Sequence, residues 1–253
     1  MDNHQTKEAG EHIESIARHF INLGGEFVGP ADRLASKLVD IGALVFDWDG
    51  VFNDGTKGAE NTSTFSEADS MGTNLLRYGL LLHNQRMPVT AVISGEKDLS
   101  AQGFVLREHF DCLYAGVKNK RVAVDHLRML FGLEPGAVAC VYDDVNDLAM
   151  ADTCSVRFMI RRPASPLFAA YARTHRLCDY ISGCSSDHHA VREISELFLG
   201  LLGRYAEVVS SRTAFDSPYR DFFVRRQAIT PRIYRQADDE MVESFRIDDR
   251  PRT

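Results

Sequence analysis

Four short apolar segments, each followed by polar residues and then by a helical pattern, constrain the fold of this chain most strongly. They span residues 41–47, 89–93, 112–115 and 137–142. Apolar runs of this length are typical of buried strands. Strands that alternate with helices indicate a parallel sheet with right-handed crossovers. We therefore predict an α/β fold whose central parallel sheet is flanked by helices.

The first of these segments ends in two carboxylates, Asp47 and Asp49, followed by Gly50. In open α/β sheets, ligands bind beyond the carboxyl ends of the strands, so both acids would stand at a crevice. Two neighbouring carboxylates repel one another unless a cation is present. Mg²⁺, a hard cation that prefers oxygen ligands, would remove that repulsion. Taken alone, this turn is also compatible with a simple cap of the next element.

The next two strand ends carry groups that suit a phosphate. Ser94 and the amide of Gly95 would donate hydrogen bonds to phosphoryl oxygens, and Lys120 would add a fixed positive charge. Two alternatives are open here. Ser94 is also compatible with a helix N-cap, and Lys118 is a second candidate for the role of Lys120.

The fourth strand end is acidic. Asp143 would complete a Mg²⁺ site with Asp47 and Asp49. Asp147, one helical turn later, is placed to orient Lys120 or a metal-bound water. Asp144 and Asp147 can alternatively be acids of a first helical turn, which the helix dipole favours.

Together the four strand ends match phosphoryl transfer through an aspartate. Asp47 would be the nucleophile, because a carboxylate needs no deprotonation near neutral pH, and it would form an aspartyl phosphate that water hydrolyses. Asp49 would protonate the leaving oxygen and later activate the water. The sequence therefore predicts a phosphomonoester hydrolase.

These motifs resemble those of the haloacid dehalogenase superfamily: DWDGV at 47–51, Ser94 with Gly95, Lys120, and DDVND at 143–147. Within that superfamily, FDWDGVFNDG, SGEKD, GVKNK, VYDDVNDLAM and AVREISELFL resemble the capless 3-deoxy-D-manno-octulosonate 8-phosphate phosphatases and their sialic-acid relatives. The resemblance covers about residues 40–203. It implies a Rossmann-like three-layer sandwich, with a β-hairpin flap around residues 51–65 in place of a large cap, and a homotetramer.

The chain also departs from that pattern. Tyr142 stands where the relatives usually have glycine, and Glu96 stands where they usually have an arginine that favours anionic substrates. A carboxylate at that position would repel a sugar acid, unless Lys97 or Arg77 compensates. The glycine-rich stretch of the relatives is replaced by residues 183–189. These departures leave the reaction intact and the identity of the substrate open.

Composition limits the classes of partner. The chain has 253 residues and a net charge of −7, which argues against a general binder of nucleic acid or anionic membranes. No apolar run approaches the roughly 18 residues of a membrane span. The polar amino terminus lacks the apolar core of a signal peptide, so we expect a cytoplasmic location. The five cysteines have neither paired nor metal-ligand spacing and are expected to be reduced.

We predict three regions: an N-terminal helical extension (1–40), a phosphatase-like domain (41–203) and a C-terminal extension or tail (204–253). Beyond about Ser210 the chain is rich in Arg, Asp and Tyr without sustained apolar periodicity, which indicates a segment that is loose or ordered only against a partner. The predicted function is Mg²⁺-dependent hydrolysis of a small phosphorylated sugar or sugar acid by a homo-oligomer. The alternative is a phosphatase-fold binding or regulatory partner in sugar-nucleotide biosynthesis.

Overall fold

The structure is a computed structural model that describes residues 3–57, 63–237 and 240–244, with side chains from Glu8 onward. Its described strands form one sheet and are β1 (Glu26–Phe27), β2 (Ala43–Asp47), β3 (Val89–Ser94), β4 (Cys112–Ala115), β5 (Val138–Tyr142), β6 (Val156–Met159), β7 (Tyr180–Ile181), β8 (Arg232–Ala237) and β9 (Glu240–Ser244). Its described α-helices are α1 (Asn3–Asn22), α2 (Ala31–Leu38), α3 (Glu67–Asn84), α4 (Leu99–Glu108), α5 (Lys120–Phe131), α6 (Leu148–Ala151), α7 (Pro166–Thr174), α8 (Ala190–Leu201), α9 (Tyr205–Ala214) and α10 (Ser217–Gln227).

The strands lie in the order β1-β7-β6-β5-β2-β3-β4-β8-β9. Strands β2 to β8 pair in parallel, while the two outer strands, β1 and β9, are antiparallel to their neighbours. The α/β fold with a central, mostly parallel sheet is therefore confirmed. Because parallel strands share a direction, the polar residues that follow β2, β3, β4 and β5 lie along one edge.

Side-chain alternation along β2 separates two apolar cores. Leu44 and Phe46 face the core beneath α2, α3, α4 and α8, whereas Ala43 and Val45 face the core beneath α5, α6 and α7. Successive residues of a strand point to opposite faces, so a strand buried on both faces is apolar throughout. The result is the three-layer sandwich that the resemblance implied.

The N-terminal extension is helical, as predicted. The face of α1 that carries Ile13, Ile16 and Phe20 packs against the core beneath α8. The His12 ring nitrogen Nε2 lies 3.0 Å from the carbonyl of Gly200 in α8, and the chain then turns at Gly24 before entering β1. Among the described residues, no helix combines the length and the apolar character needed to cross a membrane.

The described part of the C-terminal region is folded onto the domain, so the expectation of a loose segment beyond about Ser210 is wrong for residues 210–237 and 240–244. Strand β8 pairs in parallel with β4, placing Ile233 opposite Leu113 and Tyr234 opposite Tyr114. Helices α9 and α10 bury Val208 and Phe222. The sequence pattern concealed this packing because the few buried residues are separated by charged ones.

The predicted hairpin flap lies partly outside the described residues, which exclude 58–62. Its described flanks, 51–57 and 63–66, form turns and irregular backbone rather than paired strands. The division of the chain into regions 1–40, 41–203 and 204–253 stays a prediction.

Candidate active site

The polar residues at the strand ends converge on one cleft. Asp47 is the last residue of β2 and Ser94 the last of β3, Lys120 opens α5 after β4, and Asp143 directly follows β5. The register places Asp47 opposite Ile93 and Phe46 opposite Val141, so the ends of β2, β3 and β5 lie level with one another. The cleft has a volume of about 470 Å³.

A lysine ties two buried acids together at the floor of this cleft. The Lys120 ammonium contacts the carboxylates of both Asp47 and Asp147. The three residues are 4%, 5% and 1% exposed, respectively. Burial opposes the charged form of Lys120, but its contacts with the two carboxylates raise the pKa of this lysine above its usual value. Asp147 thus occupies the position predicted for orienting Lys120.

Three acids at this floor can share a cation. Among the described residues, Asp47, Asp143 and Asp147 form a group whose candidate ligand oxygens all lie within 4.8 Å of one another. The Oδ1 atom of Asp143 is buried without a hydrogen-bond partner. Burial raises the pKa of Asp47, and the neighbouring acids add to this effect. An all-oxygen donor set with an unpartnered buried oxygen fits a hard divalent ion.

Arg162 is a second cation in contact with the acidic group. Its guanidinium contacts Oδ2 of Asp143, whose side chain is 2% exposed. Burial raises the pKa of Asp143 to about 6, although Arg162 opposes the rise. Gly50 permits this approach, because a Cβ atom there would lie 2.0 Å from Asp143 Oδ2 and 2.3 Å from Arg162 Nη2.

Asp49 lies beside the acidic group rather than within it. Its Oδ1 atom is 2.7 Å from the ammonium of Lys57, which also lies 3.0 Å from Oδ2 of Asp98. The structure therefore brings Asp49 to the cleft with its carboxylate on a lysine. Its role as a ligand of the metal ion stays a prediction, whereas Asp147 joins the acids that could hold one.

Gly95 lines the cleft, whereas Ser94, the residue before it, is 1% exposed and lies just beneath the lining. The Ser94 hydroxyl accepts a hydrogen bond from the amide of Glu96 at 3.1 Å, and the Ser94 carbonyl accepts one from the amide of Val117 at 3.0 Å. The helix that follows is capped by Asp98 rather than by Ser94. The N-cap interpretation of Ser94 is therefore wrong. Binding of phosphate by Ser94 and Gly95 stays a prediction.

The remaining predicted residues lie around the cleft mouth. Asp144 caps the short helical turn of residues 145–147 by accepting a hydrogen bond from the amide of Val145 at 2.7 Å. Lys118 is exposed and lines the cleft, and its amide donates to Gln236 Oε1 at 2.9 Å. Lys120, not Lys118, makes the contact with Asp47.

Two cations that contact acids of the cleft, Arg162 and Lys57, were not predicted. Arg162 follows β6, so the strand-end pattern used for the other residues could have found it. Lys57 carries no such signal, because its contact with Asp49 depends on how the loop folds back. Arg77, considered as a compensating charge for Glu96, is fully buried and donates to the carbonyls of Glu108 and His109. Arg77 therefore does not compensate for Glu96 in the cleft, and compensation by Lys97 stays a prediction.

Comparisons with known proteins agree with this architecture. No protein-family model and no curated protein sequence matches the chain. Among solved structures, 3-deoxy-D-manno-octulosonate 8-phosphate phosphatase from Moraxella catarrhalis, determined with magnesium, phosphate and KDO, is similar with a TM-score of 0.60 and 22% identity over 72% of this chain and 98% of that one. A probable YrbI-family phosphatase from Pseudomonas syringae is similar with a TM-score of 0.60 and 25% identity, over 73% of this chain and 98% of that one.

The cobalt-bound YrbI phosphatase from Haemophilus influenzae is similar with a TM-score of 0.55 and 21% identity, over 74% of this chain and 99% of that one. All three similarities span nearly the whole length of the compared protein. The chain therefore shares the fold of these phosphatase structures, in agreement with the Rossmann-like three-layer sandwich that its motifs implied.

Proposed function

We propose that this chain is a Mg²⁺-dependent phosphomonoester hydrolase that acts on a small phosphorylated sugar or sugar acid through an aspartyl phosphate. The observation that carries the proposal is the floor of the cleft: Asp47 is buried there in contact with Lys120, beside Asp143 and Asp147. The similar structures support the same reaction class, since the M. catarrhalis, P. syringae and H. influenzae proteins are described as phosphatases.

The residues divide the reaction into two transfers. An Asp47 oxygen attacks phosphorus and the bond to the leaving oxygen breaks, while Asp49 gives its proton to that oxygen. Water then attacks the aspartyl phosphate and gives a proton to Asp49, which releases inorganic phosphate and restores Asp47. Lys120 holds Asp47 in place and adds positive charge where the phosphoryl oxygens gather negative charge.

The acidic group Asp47, Asp143 and Asp147 would hold the cation, together with oxygens of the substrate. When bound, Mg²⁺ would offset the repulsion between these carboxylates and the incoming phosphate. The relatives determined with magnesium or cobalt support a divalent ion at such a site. Because burial raises the pKa of Asp47, a cation would also favour the ionised form that the attack requires.

The cleft mouth combines both signs of charge. Glu96 is exposed on one side, and the Arg162 side chain is 36% exposed on the other. A phosphate dianion is attracted by Arg162 and Lys120, while Glu96 disfavours a carboxylate on the sugar near its own side. A sugar or sugar acid is compatible with this arrangement, and the position of any carboxylate on the substrate would decide its preference.

The test is phosphate release from a panel of sugar phosphates, sugar acid phosphates and an aryl phosphate, with Mg²⁺ and with EDTA. We expect release that requires Mg²⁺ and that Asp47→Asn abolishes. Asp152→Asn is the matched control, because it removes the charge of an exposed acid outside the cleft. Its activity should equal that of the wild type.

A wild-type protein that folds and binds Mg²⁺ but releases no phosphate from any substrate of the panel would contradict the proposed hydrolase function. It would favour the binding or regulatory partner considered from the sequence. Two expectations accompany the proposal, a homo-oligomer and a cytoplasmic location. Sedimentation velocity would test the first, and cell fractionation the second.

A further inference from the structure

Lys57 joins the candidate acid–base residue to a fixed anion. Its ammonium lies 2.7 Å from Asp49 Oδ1 and 3.0 Å from Asp98 Oδ2, and its side chain is 26% exposed. Both contacts raise the pKa of Lys57, although burial opposes them, so this lysine is charged at neutral pH. Asp98 is itself held by hydrogen bonds from its neighbours, so its contact with Lys57 fixes the position of the lysine.

Asp98 is anchored from several directions. Its side chain is fully buried, and Oδ1 accepts hydrogen bonds from the amides of Ser100 at 2.7 Å and Ala101 at 3.4 Å, at the first turn of α4. The Ser63 hydroxyl donates to Oδ2 at 2.9 Å and accepts from the indole of Trp48 at 2.8 Å. Helix α4 is itself fixed in the core, so Asp98 is a rigid support.

Lys57, held by Asp98, restricts the orientation of the Asp49 carboxylate. Oδ1 of Asp49 is buried and lies in ion-pair contact with Lys57 at 2.7 Å, without the alignment of a hydrogen bond, whereas 24% of the Asp49 side chain is exposed. The exposed part therefore lies elsewhere on the side chain, and Oδ2 is the oxygen that can meet a substrate. A carboxyl group tethered through one oxygen presents the other in a fixed direction, which proton transfer requires.

We infer that Lys57 is a positioning residue for Asp49: anchored on Asp98, it holds Asp49 Oδ1 so that Oδ2 delivers the proton to the leaving oxygen. This inference rests on the proposed hydrolase function. It assigns Lys57 a role that none of the sequence motifs predicted.

The role predicts a dependence on the leaving group. A sugar alkoxide needs a proton to depart, so it depends on a well-placed Asp49, whereas nitrophenolate departs without one. General acid catalysis typically contributes a factor of about 10² to 10⁴. Lys57→Met should therefore lower kcat/KM at least roughly tenfold more for a sugar phosphate than for p-nitrophenyl phosphate. A merely structural role would lower both equally.

The experiment measures kcat/KM of the wild type, Lys57→Met and Lys57→Arg on both substrates. Lys57→Arg keeps the charge and should recover most of the loss on the sugar phosphate. Lys37→Met is the matched control, because Lys37 is 27% exposed and pairs with Asp179 at 2.6 Å outside the cleft. Lys37→Met should leave the ratio of the kcat/KM values for the two substrates unchanged.

A double-mutant cycle tests whether Lys57 acts through Asp49. In an Asp49→Asn background, Lys57→Met should cause no further selective loss on the sugar phosphate. An equal loss on both substrates, or a selective loss that persists without Asp49, would overturn the inference and leave the hydrolase intact. No release from either substrate by the wild type would instead overturn the proposed function itself.

Discussion

Replacement of Arg162 by glutamine should increase the affinity of the protein for Mg²⁺. The Arg162 guanidinium contacts Oδ2 of Asp143, and Asp143 is one of the three acids that can share a cation. A divalent ion at this site must displace the guanidinium or bind against its charge. Glutamine keeps a similar length and removes that competition.

The magnitude follows from the exposure of the pair. A hydrogen bond to a charged group contributes about 1.5–3 kcal/mol when it is shielded from water. The Arg162 side chain is 36% exposed, so solvent screening reduces the contribution to about 1 kcal/mol. Since 1.4 kcal/mol is a factor of ten, we expect Arg162→Gln to bind Mg²⁺ roughly fivefold more tightly.

Calorimetric titration of the substrate-free protein with Mg²⁺ measures this change without reference to activity. A pH of about 8 keeps Asp143 ionised, since its pKa is about 6, and so excludes competition from protons. Arg161→Gln is the control, because Arg161 donates to the carbonyls of Ser182 and Gly24 instead. Equal or weaker Mg²⁺ binding by Arg162→Gln would refute the competition argument.

Three further predictions concern stability. Gly183→Ala should lower the free energy of unfolding in urea by about 1–3 kcal/mol, because the added Cβ would lie 2.7 Å from the backbone oxygen of Leu23. Gly103→Ala in α4 should raise the free energy of unfolding by about 0.5–1 kcal/mol, because no atom lies within 4 Å of the added Cβ. Arg77→Met should cost about 3 kcal/mol in the same assay, since two main-chain carbonyls lose charged donors. In EDTA, the contribution of Asp143 to stability should fall as pH rises from about 4 to about 6, because its pKa is about 6 in the folded protein against 3.8 ordinarily. In thermal unfolding scans, the difference in stability between wild type and Asp143→Asn should therefore change in that direction over this pH range.

The main features of the fold and of the acidic floor could be predicted because their signals are local. An apolar run marks a strand, and the residue that ends the run marks the edge of the sheet. Asp47, Ser94 and Asp143 all follow that rule, so their convergence required only the parallel arrangement of their strands. The spacing of Asp147 from Asp143 placed it near Lys120 or a metal-bound water, and the structure brings Asp147 into contact with Lys120.

The features that were not predicted depend on long-range pairing. Strand β8 joins the sheet by pairing with β4 across more than a hundred residues, and Ile233 and Tyr234 alone give a weak strand pattern. Lys57 reaches Asp49 only because the loop after β2 folds back onto Asp98. Arg77 was considered, with Lys97, as a charge that could compensate for Glu96, but burial and two carbonyl acceptors hold Arg77 elsewhere.

The two cations that contact the acids at the floor of the cleft, Lys120 and Arg162, differ in how easily they can be displaced. Asp47, Asp143 and Asp147 carry three negative charges when ionised, and Lys120 and Arg162 supply two positive ones. Lys120 is 4% exposed between two acids, so it cannot leave without exposing both. Arg162 holds one acid from the rim and can turn into solvent. A divalent ion that displaced Arg162 would leave Lys120 on Asp47, the proposed nucleophile. We therefore expect substitutions of Arg162, rather than of Lys120, to change the metal affinity.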